Sequence, residues 1–413
     1  MRDLVITGAR LIDGTGHDPI DHATVSIHDG TVVYAGPEVG APSRGDATVL
    51  DAEGRTVLPG LIDCHMHFGG VLAERALEWI LEPPAQKAMV STVQAAQVLQ
   101  SGFTTVRDIS RHSFGLRAMF EHGIGLGPRV VACGPGLSRT GGHADLPGVP
   151  MDLVAERQPF ARIVDGPSQV RTTVRDLIRQ DADAIKLWVT GGGHDYIDNE
   201  LFQHLDDEEI AAAVREADSV QIPVAAHCES LAGTKAALRA GIKTLEHGEE
   251  LDEECLELMR ANDVTMIPTL QMFERWMSEF EPPYRPAQDA FSCENRGARE
   301  FARIIDNLRV AREAGIRIAS GSDTTHFPYG GPSLRELQVM VARAGMSPME
   351  AILAATANAA VAINRADTVG QLLPGFSGDF VIFDADPLET FEKLSTDRIF
   401  AVGLRGELVR QSA

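Results

Sequence analysis

No window of the sequence approaches the roughly 18 consecutive apolar residues that a membrane-spanning helix needs. The opening Met1-Arg2-Asp3-Leu4-Val5-Ile6 also lacks the apolar core of a secretory signal. The expectation is a cytoplasmic protein with no membrane partner. Cysteine is scarce: Cys64, Cys133, Cys228, Cys255 and Cys293 are odd in number and show no metal-knuckle spacing, which excludes a disulfide framework and fits reduced thiols. Basic residues are few as well, 37 against 59 acidic ones, and a net charge of −22 repels nucleic acid and anionic lipid. No fixed-period repeat and no low-complexity tract appears, so a solenoid or a linker-rich chain is not indicated. With 44% hydrophobic and 23% charged residues the composition is that of a folded globular chain. At 413 residues it exceeds one ordinary core, and two are expected.

Residues 1–57 read as short strands, among them Leu4-Val5-Ile6, Thr24–Ile27 and Thr31–Tyr34, broken by glycines. The same texture returns at Asp379–Phe383, Ala401–Leu404 and Leu408-Val409, so both chain ends (1–57 and 361–413) are expected to build one β-sandwich. Between them, over 58–360, apolar strand-like runs alternate with helix-length segments. The runs are Val57–His67, Thr104–Asp108, Arg129–Gly134, Ala184–Val189, Ile222–His227, Thr244–His247, Val264–Thr269 and Ile316–Asp323. Segments such as Asp207–Val220, Leu231–Ala240, Asp252–Asn262 and Arg299–Ala314 carry helical apolar spacing. Eight such units close into an α/β fold of the (β/α)8 TIM-like barrel type. The stretch Gln271–Asn295, rich in Phe, Trp, Tyr and Pro, lies past the seventh run and reads as a lid or as a packed surface excursion or oligomer contact.

The strongest local signal is Pro59-Gly60-Leu61-Ile62-Asp63-Cys64-His65-Met66-His67. The two-residue period of a strand puts His65 and His67 on one face, with Cys64 and Met66 turned outward. Lys186, His227, His247 and Asp323 recur at the C-terminal ends of later runs, the end at which barrel active sites form. A structural histidine is the ordinary reading of each position alone. Several such placements converging on one end point instead to a metal site.

The ordered motifs Leu58–His67, Gly102–Asp108, Thr140-Gly141-Gly142-His143, Ile185-Lys186 with Gly191-Gly192-Gly193, Ala226-His227, Glu246-His247-Gly248 and Gly321-Ser322-Asp323 resemble the amidohydrolase superfamily, in its imidazolonepropionase-like and prolidase-like branch. The resemblance covers essentially the whole chain. It implies a binuclear metal-dependent hydrolase, in which His65, His67 and Asp323 bind one divalent ion and His227 and His247 the second. Lys186, as a carbamate, would bridge both. Zinc suits imidazole and carboxylate ligands, with manganese, iron or cobalt as alternatives. Asp323 would act as general base and then general acid, and His143 as a hydrogen-bond donor to the substrate carbonyl.

Arg107 and Asp108 read as an ion pair orienting the ligands. Glu229 reads as a charge at a helix start near Leu231, and the bridging lysine argues against a mononuclear deaminase. The resemblance gives no role to His194, Asp195 and Tyr196. The implied reaction is hydrolysis of an amide C–N bond in a small molecule such as a dipeptide, an N-acyl amino acid or a xenobiotic amide. The alternatives are ester, carbamate, urea or lactone hydrolysis on the same site, or a silent assembly scaffold. A small-molecule substrate is the expected partner, and homo-oligomerisation is left open.

Overall fold

The computed structural model describes residues 3–43, 45–73, 76–192, 198–279, 290–325 and 331–412. The fold is a mixed α/β one. Strands from both chain ends join one eight-stranded sheet. Leu4–Leu11 pairs antiparallel with Ile20–His28, which pairs with Thr31–Pro37, and it takes Thr48–Asp51 and Thr56–Pro59 in parallel. Thr56–Pro59 is antiparallel to Phe380–Phe383, beyond which lie Ile399–Leu404 and Glu407–Gln411. Hydrogen bonds thus run through all eight strands. Register shifts at Ile6–Leu11 and Ser26–Ile27 bend the strands, as bulges do. Their inward residues, including Leu4, Ile6, Val25, Ile27, Val57, Phe380 and Ile382, share a core of their own.

The parallel strands between the two ends fall into two sheets. Leu61–Met66, Phe103–Asp108 and Arg129–Ala132 form the first. Ile185–Trp188, Val224–Cys228, Thr244–His247 and Thr265–Ile267 form the second, extended by Gly136–Ser138 and Ala161–Ile163, two short strands that the sequence did not announce. Each parallel strand is buried or nearly so along its length, which is why these runs are apolar rather than alternating. The amide of Asp183 donates to Ala132 O at 2.8 Å, so a hydrogen bond also links the two sheets.

Seven of the eight expected runs contain a strand. The eighth, Ile316–Asp323, does not: it meets its neighbours through the isolated parallel bridges Met266–Ile318 and Met66–Thr324. Two features interrupt it. A Cβ on Gly321 would lie 2.5 Å from Ile267 Cγ2 and 2.7 Å from His65 Cβ, so the backbone passes closer than a ladder allows. Asp323 adopts a left-handed φ of +50°.

The expected run Val57–His67 is also two strands rather than one, split at Gly60. A Cβ there would lie 2.0 Å from Thr104 Oγ1, which leaves room for glycine alone. The chain passes directly from the terminal sheet into the strand that ends in His65 and His67.

Helices follow the parallel strands and start where side chains cap them. Asp206 and Glu209 form a capping box on Asp207–Asp218, Ser230 caps Leu231–Ala240, and Asp252 caps Glu253–Asn262. Leu270–Glu279 and Ala290–Glu313 are helical, so much of the expected loop Gln271–Asn295 is helix. Among the described residues no helix is long and apolar enough to cross a membrane.

Candidate active site

His65, His67, Lys186, His227, His247 and Asp323 converge at the C-terminal ends of the parallel strands. Strand alternation brings His65 and His67 to one face, with ring centroids 5.1 Å apart. His65 lies 5.3 Å from His247, and His247 lies 4.6 Å from His227. His143 stacks on His227 at 4.6 Å and 11° between planes. Two groups of oxygen and nitrogen donors are close enough to hold an ion each: His65, His67 and Asp323, and His227, Glu229 and His247. Lys186 is fully buried, with Nζ 3.3 Å from His65 Nε2. Among the described residues no carboxylate forms an ion pair with it, and burial lowers its pKa.

Each of the four histidines has one ring nitrogen engaged by an oxygen. His65 Nδ1 lies 2.7 Å from Glu246 Oε2, and His67 Nδ1 lies 2.8 Å from Ile109 O. His247 Nδ1 lies 2.7 Å from Thr269 Oγ1, and His227 Nε2 lies 3.0 Å from Gly191 O. Such contacts fix tautomer and ring orientation, presenting the opposite nitrogen as the ligand atom. Burial pushes His65 down to about 4, aided by the Lys186 charge, and holds His227 and His247 well below the ordinary imidazole value. All three are neutral imidazoles at pH 7, the form that binds metals. This arrangement of donors fits divalent ions.

Asp323 reaches the same cluster by its turn. Its amide donates to His65 O at 2.7 Å, and its Oδ1 lies 2.9 Å from His67 Nε2 and 3.5 Å from His65 Nε2. Desolvation would raise this carboxyl, but its interactions with His65 and His67 outweigh it and hold the group well below the usual carboxylate range. Asp323 is therefore ionised and able to accept a proton. Asp63 fastens the floor: its Oδ1 accepts the amides of His65 and Ser322 at 3.0 and 3.1 Å, and its Oδ2 accepts Ser333 Oγ at 2.7 Å.

Arg107 does form an ion pair that orients a ligand, but its partner is Glu246 and not Asp108. Its Nη2 donates to Glu246 Oε1 at 2.6 Å, Nη1 to Thr244 Oγ1 at 2.9 Å and Nε to Cys64 O at 2.6 Å. Asp108 turns away to accept Phe68 N and Ser110 Oγ, both at 2.8 Å. Glu246 had escaped the sequence reading. The available signal was an acid inside a buried strand, next to a ligand and unable to reach solvent.

Glu229 refines another expectation. It does stand at a helix start, but buried: it is 3% exposed, its amide donates to Thr190 Oγ1 at 3.0 Å, and its Oε1 lies 3.8 Å from His227 Nε2. Ser230, one residue later, does the capping. His143 stands in its loop with Nδ1 2.8 Å from Asp198 Oδ2, and its amide donates to His204 Nδ1 at 3.2 Å. Phe273, in the stretch read as a lid or a packed excursion, is buried and edge-on to His247 at 5.9 Å. His194, Asp195 and Tyr196, residues 280–289 and the side chain of Trp276 lie outside the described residues.

Residues 56–409 match the model of the amidohydrolase family. The chain belongs to this family. Aspergillus niger ochratoxinase is 32% identical over 404 residues, covering 93% of this chain and 82% of that protein. Its crystal structure superposes with a TM-score of 0.89 at 30% identity, over 99% of this chain and 96% of that one. The imidazolonepropionase of Sphingopyxis alaskensis is 26% identical over 425 residues, 93% of this chain and 92% of that protein. A prolidase crystallised with N-methylphosphonate-L-proline superposes with a TM-score of 0.90 at 27% identity, over 99% and 100% of the two chains. The prolidase-like resemblance read from the motifs therefore holds, and this amidohydrolase is a hydrolase acting on C–N bonds.

Proposed function

We propose that this amidohydrolase cleaves the amide bond of a small molecule of the dipeptide or N-acyl amino acid kind, at two divalent metal ions placed at the mouth of a closed (β/α)8 barrel. The observation that carries this reading is the set of engaged ring nitrogens: four histidines, each with one ring nitrogen held by a separate oxygen, gather with neighbouring ring centroids 4.6 to 5.3 Å apart beside Asp323 and Lys186. His65, His67 and Asp323 would hold one ion and His227 and His247 the other. Lys186, whose buried amine forms no ion pair among the described residues, would serve both as a carbamate. Glu229 stands close enough to add a carboxylate to the second group. When bound, such ions, zinc foremost, supply the Lewis acidity that activates water at neutral pH and polarises a carbonyl.

The protein's own groups do the rest. Asp323, ionised and beside His67, accepts the proton of the attacking water as the new C–O bond forms. It then delivers that proton to the nitrogen as the C–N bond breaks, and the amine leaves neutral. His143, held through Nδ1 by Asp198, donates from its other nitrogen to the carbonyl oxygen as negative charge develops there. The phosphonate-proline bound by the prolidase relative supports a substrate with an amino-acid flank.

The test is metal analysis after reconstitution with zinc and bicarbonate, followed by turnover on dipeptides, N-acyl amino acids, carbamates and lactones. Close to two ions per chain and faster amide cleavage are expected. Protein that retains no zinc, or turnover confined to lactones, would overturn the proposal.

A further inference from the structure

Glu336, on the helix Gly331–Ala342, is fully buried and lies outside both ligand groups. Its Oε2 accepts the Gln271 amide at 2.7 Å, and the Leu270 amide also donates to the carboxyl group. It therefore caps the first turn of the ten-residue helix Leu270–Glu279 from a different helix. Two arms leave that turn. Thr269, immediately before it and left-handed at φ +51°, holds His247 Nδ1 through its hydroxyl. Gln271, the second residue of the helix, donates from Nε2 to the carbonyl of Ser322, whose own amide is held by Asp63. Ser322 precedes Asp323, left-handed at +50°.

Two residues in a sparsely populated backbone conformation thus flank one capped turn, and such conformations persist only where the surroundings impose them. Ser333, three residues before Glu336 on the same helix, bonds Asp63 from the same side.

We propose that Glu336 is a positioning residue that couples the two ligand groups, setting His247 through Thr269 and Asp323 through Gln271 and Ser322. The coupling rests on the reading of those groups as metal ligands, but the structural link does not. Its Oε1 is buried without a hydrogen-bond partner among the described residues, so one oxygen carries the cap. Burial raises the carboxyl to about 8, which makes it a neutral acid at pH 7. Glutamine is therefore a close mimic and alanine is not.

The experiment is amide hydrogen exchange on metal-free protein, read over peptides spanning 265–275 and 318–325, alongside release of zinc from the reconstituted protein into a chelator. Glu336→Ala should lose protection in both peptides while 224–247 stays as in the parent, and should release zinc about tenfold faster. Glu336→Gln should restore both. Gln271→Ala should loosen 318–325 alone. If Glu336→Ala leaves 318–325 protected, or if Gln does no better than Ala, the coupling is wrong. Should Glu336→Ala fail to fold, Gln271→Ala decides: unchanged exchange over 318–325 rejects the link. Because exchange is read without metal, protein that binds no zinc would defeat the proposed function and leave this test standing.

Discussion

Replacing Glu246 by glutamine should damage the site and the fold together. Both carboxylate oxygens are used: Oε1 accepts Arg107 Nη2 and Thr244 Oγ1, each at 2.6 Å, and Oε2 faces His65 Nδ1 at 2.7 Å. Arg107 and Glu246 are both fully buried. Burial alone would raise the Glu246 carboxyl, and the Arg107 charge, with the contact to His65, holds it well below the usual range instead. Glu246→Gln keeps the shape and leaves the guanidinium without a counter-charge, a change that costs about 3–5 kcal/mol in buried pairs.

With the amide oxygen held by Arg107, the NH2 group must face His65. Nδ1 then becomes an acceptor, and the ring proton moves to Nε2, the nitrogen the ligand cluster needs. Zinc affinity should fall about 10–100-fold. Urea unfolding of metal-free protein at pH 7 measures the first quantity, free of stabilisation by bound ligand, and zinc competition with a chelating dye measures the second. The double variant Arg107→Met, Glu246→Met should unfold at higher urea than Glu246→Gln, since it leaves no buried charge unpaired. A Glu246→Gln protein within about 1 kcal/mol of the parent, with parental zinc affinity, would refute the reasoning.

Asp323→Asn should fold yet lose most turnover at matched metal content, since the amide cannot accept the proton; parental kcat would reject Asp323 as the base. His143→Ala should lower kcat with zinc retained, and an emptied metal site would instead make His143 a ligand. Gly60→Ala should destabilise by about 1–3 kcal/mol or more through the clash with Thr104, and Thr104→Ala in the same chain should recover part of the loss in thermal unfolding.

Burial raises Glu336 from 4.5 to about 8, so between those values the folded chain keeps a proton that the unfolded chain has released. This contribution to stability is complete below about pH 4.5 and is lost as pH rises toward 8. Comparing Glu336→Gln with the parent by urea unfolding across that window should show the variant with the flatter profile; parallel profiles would place the Glu336 carboxyl at its ordinary value.

The candidate ligand residues were legible because strand geometry brings them together. Two histidines at a two-residue spacing must share a face, and ligand-type residues closing buried apolar runs have one end of the sheet to occupy. Positioning residues obey no such local rule. Glu246 lies one residue before His247, and strand alternation would send their side chains apart. The left-handed His247, at φ +68°, breaks that alternation so that both serve one centre. Glu336 comes from a helix with nothing in its periodicity to set it apart from a solvated glutamate. The interrupted eighth strand was misread for a related reason: Ile316–Asp323 has strand composition, and its departure from a ladder depends on how closely Gly321 passes His65, a contact between distant segments.

Thr56–Pro59 has a consequence for how the protein is made. It runs through Gly60 into the strand bearing His65 and His67, yet its sheet partner Phe380–Phe383 is made only after every candidate ligand residue. Asp379, next to that partner strand, also receives Arg129 at 2.5 Å from the end of another parallel strand. A nascent chain therefore carries all its candidate ligands before the strand that anchors the first pair of histidines has been made. Chains truncated before Phe380 should therefore be unable to retain an ion despite carrying every candidate ligand.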